Sequence, residues 1–307
     1  MNSVIDQIGK RLKDLQDPQC ADSQRLFHGR GRLVPGFEQV TVDLFAPVLW
    51  VTFFKAPEAA DFEANLLQAL AQLADRFGLA AVAVQRRYLK VAADCVWGAL
   101  PKSMVARRGE ARFHIQLGEN QNTGYFLDME PGRRWLEQRA ADKKILNLFA
   151  FTCAFSVVGQ MAAAREVVNV DMSRGALNRG RDNHRLNGLD TSGIAFMQEN
   201  ILKSWGRIRR RGPFDIAVLD PPSFQRGSFE AQKDYRKLVR RLPELLVDGG
   251  DALLCLNSPQ LSVSFLQELV EQECPACRFI ERLAPSPDFP DRDPDQQLKL
   301  LHFQYHS

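Results

Sequence analysis

No apolar run in the 307 residues approaches the ~20 that a membrane-spanning helix needs. The first ten residues, Met1 to Lys10, lack the charged-then-apolar order of a secretory signal, so a cytoplasmic location away from membranes is expected. Six cysteines are too few in a chain of this length for a disulfide framework. Cys274-Pro-Ala-Cys277 has the spacing of half a zinc site. No second C-x-x-C and no paired histidines accompany it, and structural zinc takes four ligands, so two free thiols and no metal are expected. Neither sign of charge is in excess: 40 Lys and Arg against 37 Asp and Glu leave +3. Total charge therefore does not mark a nucleic-acid binder, and clustering has to decide. G-x-G-x-x-G is absent, which speaks against a nicotinamide dehydrogenase.

What is there is ordinary for a soluble globular protein, 45% hydrophobic and 25% charged, and long enough for two domains. The stretch from Ile145 to Phe224 carries the information. Ile145-Leu-Asn-Leu-Phe149 reads as a buried strand, followed by the loop Ala150-Phe-Thr-Cys-Ala-Phe-Ser156 and a helical pattern. Val167-Val-Asn-Val-Asp-Met-Ser173 is a second strand ending in an acid, and Phe214–Leu219 is a third that runs into Asp220-Pro-Pro-Ser-Phe224. A strand, a turn onto a helix and an acid about twenty residues beyond the turn make a nucleotide-type site, in which Asp171 takes both hydroxyls of a ribose. A pyrophosphate needs bare N–H groups on glycines close by, and Phe149 to Val158 has none. The loop thus favours a nucleoside without pyrophosphate, of which S-adenosylmethionine (SAM) is the obvious one.

In chain order, Val4, Ile5, Ile8, Leu12 and Leu15 give residues 3–17 helical spacing, and the basic loop His28-Gly-Arg-Gly-Arg32 follows. Gln39–Phe45 and Val48–Phe54 read as strands joined at Ala-Pro, Ala59–Phe77 as a helix stopped by Gly78, and Ala80–Val84 as a third strand. Ala111–Leu117 and Tyr125–Asp128 alternate and are expected to pair as a hairpin across Gly118–Asn122. From Ile145 strands and helices alternate, which implies a mostly parallel sheet covered on both faces. Later strands are expected at Gly193–Met197, Ala252–Leu256, Phe279–Leu283 and Leu298–Tyr305. Helices are expected at Ile201–Arg210, at Val263–Glu273, and at Ala231–Leu246, the last ended by Gly249-Gly250. The boundaries that follow are residues 1–36 for a helix and basic loop, 37–138 for a small α/β domain with the hairpin, and 139–307 for the cofactor-binding domain.

The order N-L-F-A-F-T, V-D-M-S, N-G-L, D-P-P-S-F, preceded by Thr123-Gly-Tyr-Phe-Leu-Asp128 and Arg133-Arg134, resembles the class I SAM-dependent methyltransferases of bacterial large-subunit ribosomal RNA. It is similar both to the 23S cytosine-C5 enzymes and to the guanine-N7 half of the bifunctional large-subunit enzyme. The likeness covers most of Phe37 to Ser307 and is strongest from Thr123 to Ser258. It implies a Rossmann-like, seven-stranded, mostly parallel sheet whose last strand is antiparallel, beside a smaller α/β domain that helps to hold RNA. SAM is the implied cofactor and ribosomal RNA, or a ribosomal precursor, the implied partner; monomer and homodimer both stay open.

Carried onto this chain, the resemblance puts the backbone of Phe149, Ala150, Phe151 and Thr152 on the amino acid part of SAM and Asp171 on the ribose. Met172 and Ser173 fall to the adenosine, and Asn200 with Ile201 to the adenine. Cys153-Ala154 replaces the family's Gly-Gly and narrows the pocket by a β-carbon, and Asn122 stands where the family has lysine. In Asp220-Pro221-Pro222-Ser223-Phe224 the prolines remove donors and stiffen the chain, which fixes Asp220 and Phe224 at the pocket mouth. Nucleic-acid amine methyltransferases use a related turn, in which the first residue and a proline carbonyl bind the target nitrogen and the aromatic stacks on the base. Lys233, Tyr235, Asn257, Arg133 and Arg134 are the expected RNA contacts, Tyr235 against the base and Lys233 on a phosphate. Arg86-Arg-Tyr88 and the run Arg207, Arg209, Arg210, Arg211 suit either phosphate or plain solvation. Cytosine C5 needs a cysteine nucleophile. The family's cysteine position holds Ser258 and Cys255 lies within a strand, so a nitrogen target is favoured. The competing readings are a catalytically weak RNA-binding or ribosome-assembly module, which calorimetry with SAM would separate, and a protein or small-molecule methyltransferase.

Overall fold

A computed structural model describes residues 1–89, 91–118, 122–225 and 227–307, in two compact units. One comprises Met1–Leu127 with Pro287–Arg292, the other Asp128–Ser286 with Asp293–Ser307. Among the described residues no helix is long and apolar enough to cross a membrane.

In the smaller unit α1 (Asn2–Lys13) turns Val4, Ile8 and Leu12 into the core shared with the sheet, as their spacing predicts. The sheet has five strands in the order β1 (Gln24–His28), β2 (Val40–Phe45), β3 (Val48–Phe53), β4 (Ala81–Arg86), β5 (Asp94–Gly98). β2 and β3 are buried along their whole length. The helix α2 (Phe62–Arg76) makes the crossover between the parallel pair β3 and β4. Two edge strands, β1 and β5, escape the sequence reading: β5 is largely exposed and lacks an apolar face, and β1 runs into the basic loop. Arg30 of that loop and Arg87 meet over one ring, 4.3 and 4.9 Å from the centroid of Phe54.

The hairpin differs from expectation. β7 (Ala111–Ile115) pairs with β6 (Met104–Arg108), from Met104↔Ile115 to Arg108↔Ala111. Gly109 at φ +50 turns the chain directly between them. Tyr125 instead stacks on Phe113, centroids 4.7 Å apart, and Leu127–Met129 is a 3-10 turn. Of the expected turn Gly118–Asn122, residues 119–121 lie outside the described residues. The segment Pro287–Arg292 also packs within this unit: Asp288 pairs with Arg11 at 2.7 Å, Asp291 with Arg32 at 3.0 Å, and Arg25 lies 4.3 Å over the Phe289 ring.

The larger unit opens with α3 (Glu130–Glu137) and then alternates β8 (Lys144–Leu148), α4 (Ala154–Met161), β9 (Glu166–Asp171), α5 (Arg174–Leu186), β10 (Ile194–Gln198), α6 (Trp205–Arg209) and β11 (Phe214–Leu219). A two-stranded flap, β12 (Phe224–Gln225) with β13 (Phe229–Glu230), precedes α7 (Ala231–Val239), α8 (Leu242–Leu245), β14 (Leu246–Leu256), α9 (Val263–Glu273), β15 (Cys277–Arg282) and β16 (Lys299–Tyr305). The sheet has seven strands in the order β10-β9-β8-β11-β14-β16-β15, parallel except for β16, which runs against both neighbours. This is the Rossmann-like fold expected. Central parallel strands are covered on both faces, and Phe214–Leu219 and Ile145–Leu148 are accordingly buried almost throughout.

Two helices fall short of expectation. Ile201–Arg210 is a 3-10 turn, Ile201–Lys203, followed by the short α6. The helix from Ala231 breaks at Arg240-Arg241 before Pro243, which stands in the first turn of α8. Gly249-Gly250 ends no helix; it lies inside β14, where Gly249 at φ +73 lets the strand bulge and the register to β11 jumps from Phe214↔Leu246 to Ile216↔Asp251.

Candidate cofactor and methyl-transfer site

β8 pairs with β9 on one side and β11 on the other, so its C-terminal end is the point where the chain's winding reverses. Ligands of open α/β sheets bind there. Leaving β8, the chain alternates left-handed residues: Phe149 at φ +59, Phe151 at +47 and Cys153 at +61. None is glycine, and each holds a conformation that costs an L-residue on the order of 1 kcal/mol. The loop is fixed from several sides. Ala150 N–H donates to Val170 O at 3.1 Å, Cys153 N–H to Ala150 O at 2.7 Å, and Asn183 Nδ2 to the carbonyl of Thr152 at 3.0 Å. The Cys153 side chain is fully buried against α5, where a Cβ on Gly180 would stand 2.4 Å from its sulfur. The thiol is therefore accommodated inside the domain, where Gly180 lacks a β-carbon.

Beneath the loop runs a buried chain of hydrogen bonds. Asn147 Nδ2 donates to Asn169 Oδ1 (2.8 Å), Asn169 Nδ2 to Ser156 Oγ (2.9 Å), and Ser156 Oγ meets His184 Nε2 at 3.0 Å. His184 Nδ1 lies 2.7 Å from Gly180 O, which assigns the proton to Nδ1 and leaves Nε2 to accept from Ser156. Burial holds this imidazole below its ordinary value, hence neutral.

Asp171 ends β9. Its Oδ2 accepts from Phe151 N–H at 2.8 Å and its Oδ1 from Ser173 N–H at 2.7 Å. Both oxygens are thereby aimed, and each keeps a lone pair for a hydroxyl. The acid does not cap α5; Ser173 does, accepting from Ala176 N–H at 3.2 Å. Met172 beside it is exposed. Asn200 follows β10, and its side chain makes no cap bond to the turn it opens.

On the far side of β8, Asp220 N–H donates to Leu148 O at 3.4 Å. The carboxyl is half-buried, and its pKa is pushed up to about 7 by burial first, then by Asp128, against the opposing charge of Arg133. Pro221 is buried and Pro222 half-buried, while Phe224, 69% exposed, projects from the flap. Ser223 Oγ donates to the carbonyl of Asn257, whose side chain is exposed just past β14.

Other expectations are corrected. Tyr235 is fully buried and its hydroxyl donates to Cys255 O at 3.0 Å, so it cannot reach a base. Arg133 is 2% exposed and paired with Glu130 at 3.2 Å; its charge acts on Asp220 rather than on RNA. The Ile201 side chain belongs to the core, which leaves only its backbone for a ligand. Arg134 and Lys233 are exposed and paired with Glu130 and Glu230 at 2.9 and 2.8 Å. Arg207 pairs with Glu199, and Arg209 with Glu244 at 3.4 Å, so part of the basic run is a solvated salt-bridged face. The sequence reading missed Asp128 and Lys299. Nothing in the spacing of a lone acid or a strand lysine announces that it lies beside a site.

A family described as S-adenosylmethionine-dependent methyltransferase matches residues 24–304. A relative from Aeromonas hydrophila, named ribosomal RNA large subunit methyltransferase I, is 30% identical over 246 residues, which are 76% of this chain and 62% of its own length. The chain thus spans less than two thirds of that protein. A relative of the same name from Enterobacter sp. is 30% identical over 88% of this chain and 70% of its own length. Among solved structures, a protein from Streptococcus mutans, provisionally assigned as a SAM-dependent methyltransferase, matches with a TM-score of 0.85 at 23% identity over 99% of this chain and 81% of that one. At that identity the likeness shows the fold. The family match runs from the first strand of the smaller unit into the last strand of the larger, and the chain belongs to the S-adenosylmethionine-dependent methyltransferase family.

Proposed function

We propose that this chain transfers a methyl group from SAM to a base nitrogen of large-subunit ribosomal RNA in the cytoplasm. The observation that carries the reading is the placement of Asp171 and Asp220 on the two sides of the β8 loop, one tied to Phe151 and the other to Leu148. The residues present fit the cofactor: Asp171 offers two aimed acceptors to a ribose, and exposed Met172 offers a soft apolar face to adenine. The loop Phe149–Thr152 would hold the amino acid part, Ser173 and Asn200 the adenosine. When bound, SAM supplies a methyl group already activated by its sulfonium.

The chain's part is then positioning, which lowers the barrier by orientation. Pro221 and Pro222 stiffen the corner, and Asp220 accepts from the target nitrogen. Its elevated pKa poises Oδ to take up a proton near neutrality. Phe224 offers its exposed ring as a stacking platform for the base. Lys233, Arg134 and Asn257, all exposed, are the proposed RNA contacts. Nitrogen is favoured over cytosine C5 because a C5 reaction needs a free cysteine. Cys255 is fully buried, with its thiol held well above the ordinary value by burial, Asp220 and Asp128. Ser258, in the family's cysteine position, is buried and donates to Gln260 at 3.2 Å. The names of the relatives support ribosomal RNA as the substrate.

The test is mass spectrometry of ribosomal RNA nucleosides from cells with and without the gene, beside calorimetry of the purified protein with S-adenosylhomocysteine. Loss of one N-methylated nucleoside is expected. Loss of 5-methylcytidine would overturn the nitrogen assignment, and an unchanged nucleoside profile would overturn the RNA reading.

A further inference from the structure

The loop that leaves β14 is held from outside by three consecutive carbonyls. Asn257 O accepts from Ser223 Oγ, of the corner after β11. Ser258 O accepts from Lys299 Nζ at 3.0 Å, from the first residue of β16. Pro259 O accepts from Gln296 Nε2 at 3.2 Å, from the turn Pro294–Gln296. Lys299 also donates to Gln297 O at 3.2 Å, which ties that turn to the same ammonium. The loop contributes little of its own: Pro259 has no N–H, and Leu261 N–H reaches Ser258 O at 3.4 Å.

Lys299 is fully buried. An ammonium loses its hydration there, and an apolar side chain of similar length would fill the same volume without that cost. What an apolar side chain cannot do is hold two carbonyls from separate segments at once. Burial draws the Lys299 pKa below the ordinary lysine value, yet either protonation state keeps at least two N–H donors, enough for both carbonyls. The residue that this arrangement presents is Asn257, whose backbone is locked to Ser223 while its amide stays exposed beside the Asp-Pro-Pro corner. An amide carries an acceptor and a donor side by side, the pattern that matches a base edge.

We propose that Lys299, assisted by Gln296, is a positioning residue that clamps the Asn257–Pro259 loop so that the Asn257 amide reads the edge of the base held at the Asp220 corner. The proposal rests on the reading of this chain as an RNA base methyltransferase and names a determinant of its substrate recognition.

The experiment uses the full chain with Lys299→Met and Gln296→Ala. Hydrogen exchange is measured at the loop amide that is hydrogen-bonded, Leu261 N–H to Ser258 O, with β8 and β11 as internal references. Lys299→Met is expected to speed exchange in the loop by about tenfold or more, the size of one lost charge-assisted bond, with the references unchanged. Gln296→Ala, at a half-buried side chain, is expected to do the same to a smaller extent and serves if Lys299→Met does not fold. In steady-state methylation of ribosomal RNA, KM for RNA should rise about tenfold in Lys299→Met, while kcat and the Kd for S-adenosylhomocysteine stay within about twofold. Unchanged loop exchange in both variants overturns the clamp. Loosened exchange with an unchanged KM for RNA overturns the recognition role and leaves a purely structural lysine. A wild-type protein that methylates no RNA sinks the parent reading, while the exchange data still decide the clamp by themselves.

Discussion

Replacing Asp220 by Asn is expected to stabilise the protein in a pH-dependent way while removing its activity. The site pushes the carboxyl from its ordinary 3.8 to about 7. Between those values the unfolded chain has lost the proton and the folded chain keeps it. The folded state therefore binds more protons, and this group's contribution to stability falls as pH rises from about 4 to about 7. One pH unit is worth about 1.4 kcal/mol, so the gap between the folded and unfolded values costs up to about 2 kcal/mol of stability at pH 5.5, where folded Asp220 still holds its proton, and up to about 4 kcal/mol at pH 8. Asparagine has the same shape and no proton to lose. In urea denaturation, the advantage of Asp220→Asn over the wild type should grow by up to about 2 kcal/mol between pH 5.5 and pH 8 and level off above pH 7.5. Methyl transfer in the same variant should fall by about a hundredfold or more. The wild-type kcat/KM should rise with pH through neutrality as the carboxylate forms. A stability difference that is flat across the range, or an Asn variant less stable at pH 8, would show that Asp220 is ionised and comfortable in the fold. The proposed proton acceptor at the corner would then be lost.

Three further outcomes are expected. Phe224→Ala should leave the melting temperature unchanged, because an exposed side chain away from packing contributes within about 0.5 kcal/mol; RNA methylation should drop at least tenfold with cofactor affinity intact, and equal losses of both would refute the stacking role. Gly180→Ala drives a methyl group into the Cys153 sulfur and should cost about 1–3 kcal/mol and weaken S-adenosylhomocysteine binding in calorimetry; Cys153→Gly in the same chain should restore both, and a failure of that rescue would mean the contact is not what sets the loop. Cys255→Ala should retain methyl transfer, and denaturing gels should show no covalent RNA adduct in the wild type; a trapped adduct lost in the variant would restore C5 chemistry.

The larger unit was legible because its strands are short apolar runs separated by helical patterns, and a central parallel strand such as Phe214–Leu219 has few alternatives. The antiparallel final strand came from the resemblance, and periodicity by itself would not have oriented it. The hairpin was misread because Tyr125–Asp128 alternates as well as Met104–Arg108 does; a tight turn at Gly109 decided between them. Within the site, Asp171 and Asp220 stand at strand ends, and strand ends are visible in sequence. Tyr235 and Arg133 lie on helices, where the face turned inward depends on packing, and both turned inward. Lys299 reads as one polar residue in an apolar strand; its grip on Ser258 spans 41 positions and leaves no local trace.

The segment Pro287–Arg292 has a bearing on how the protein can be dissected. The chain enters the larger unit at Asp128, revisits the smaller one for six residues, and returns at Asp293. No single cleavage separates the two bodies cleanly. A fragment ending at Leu127 would leave Arg11 without Asp288 and strip Phe289 from Arg25 and from His28, whose ring lies 5.3 Å from that of Phe289. A fragment beginning at Asp128 would carry an orphaned ribbon rich in acid and proline. Recombinant halves are thus poor surrogates for the intact molecule, and a protease nick near residue 290 would loosen contacts inside the amino-terminal body, although the cut lies more than 150 residues beyond that body's last strand.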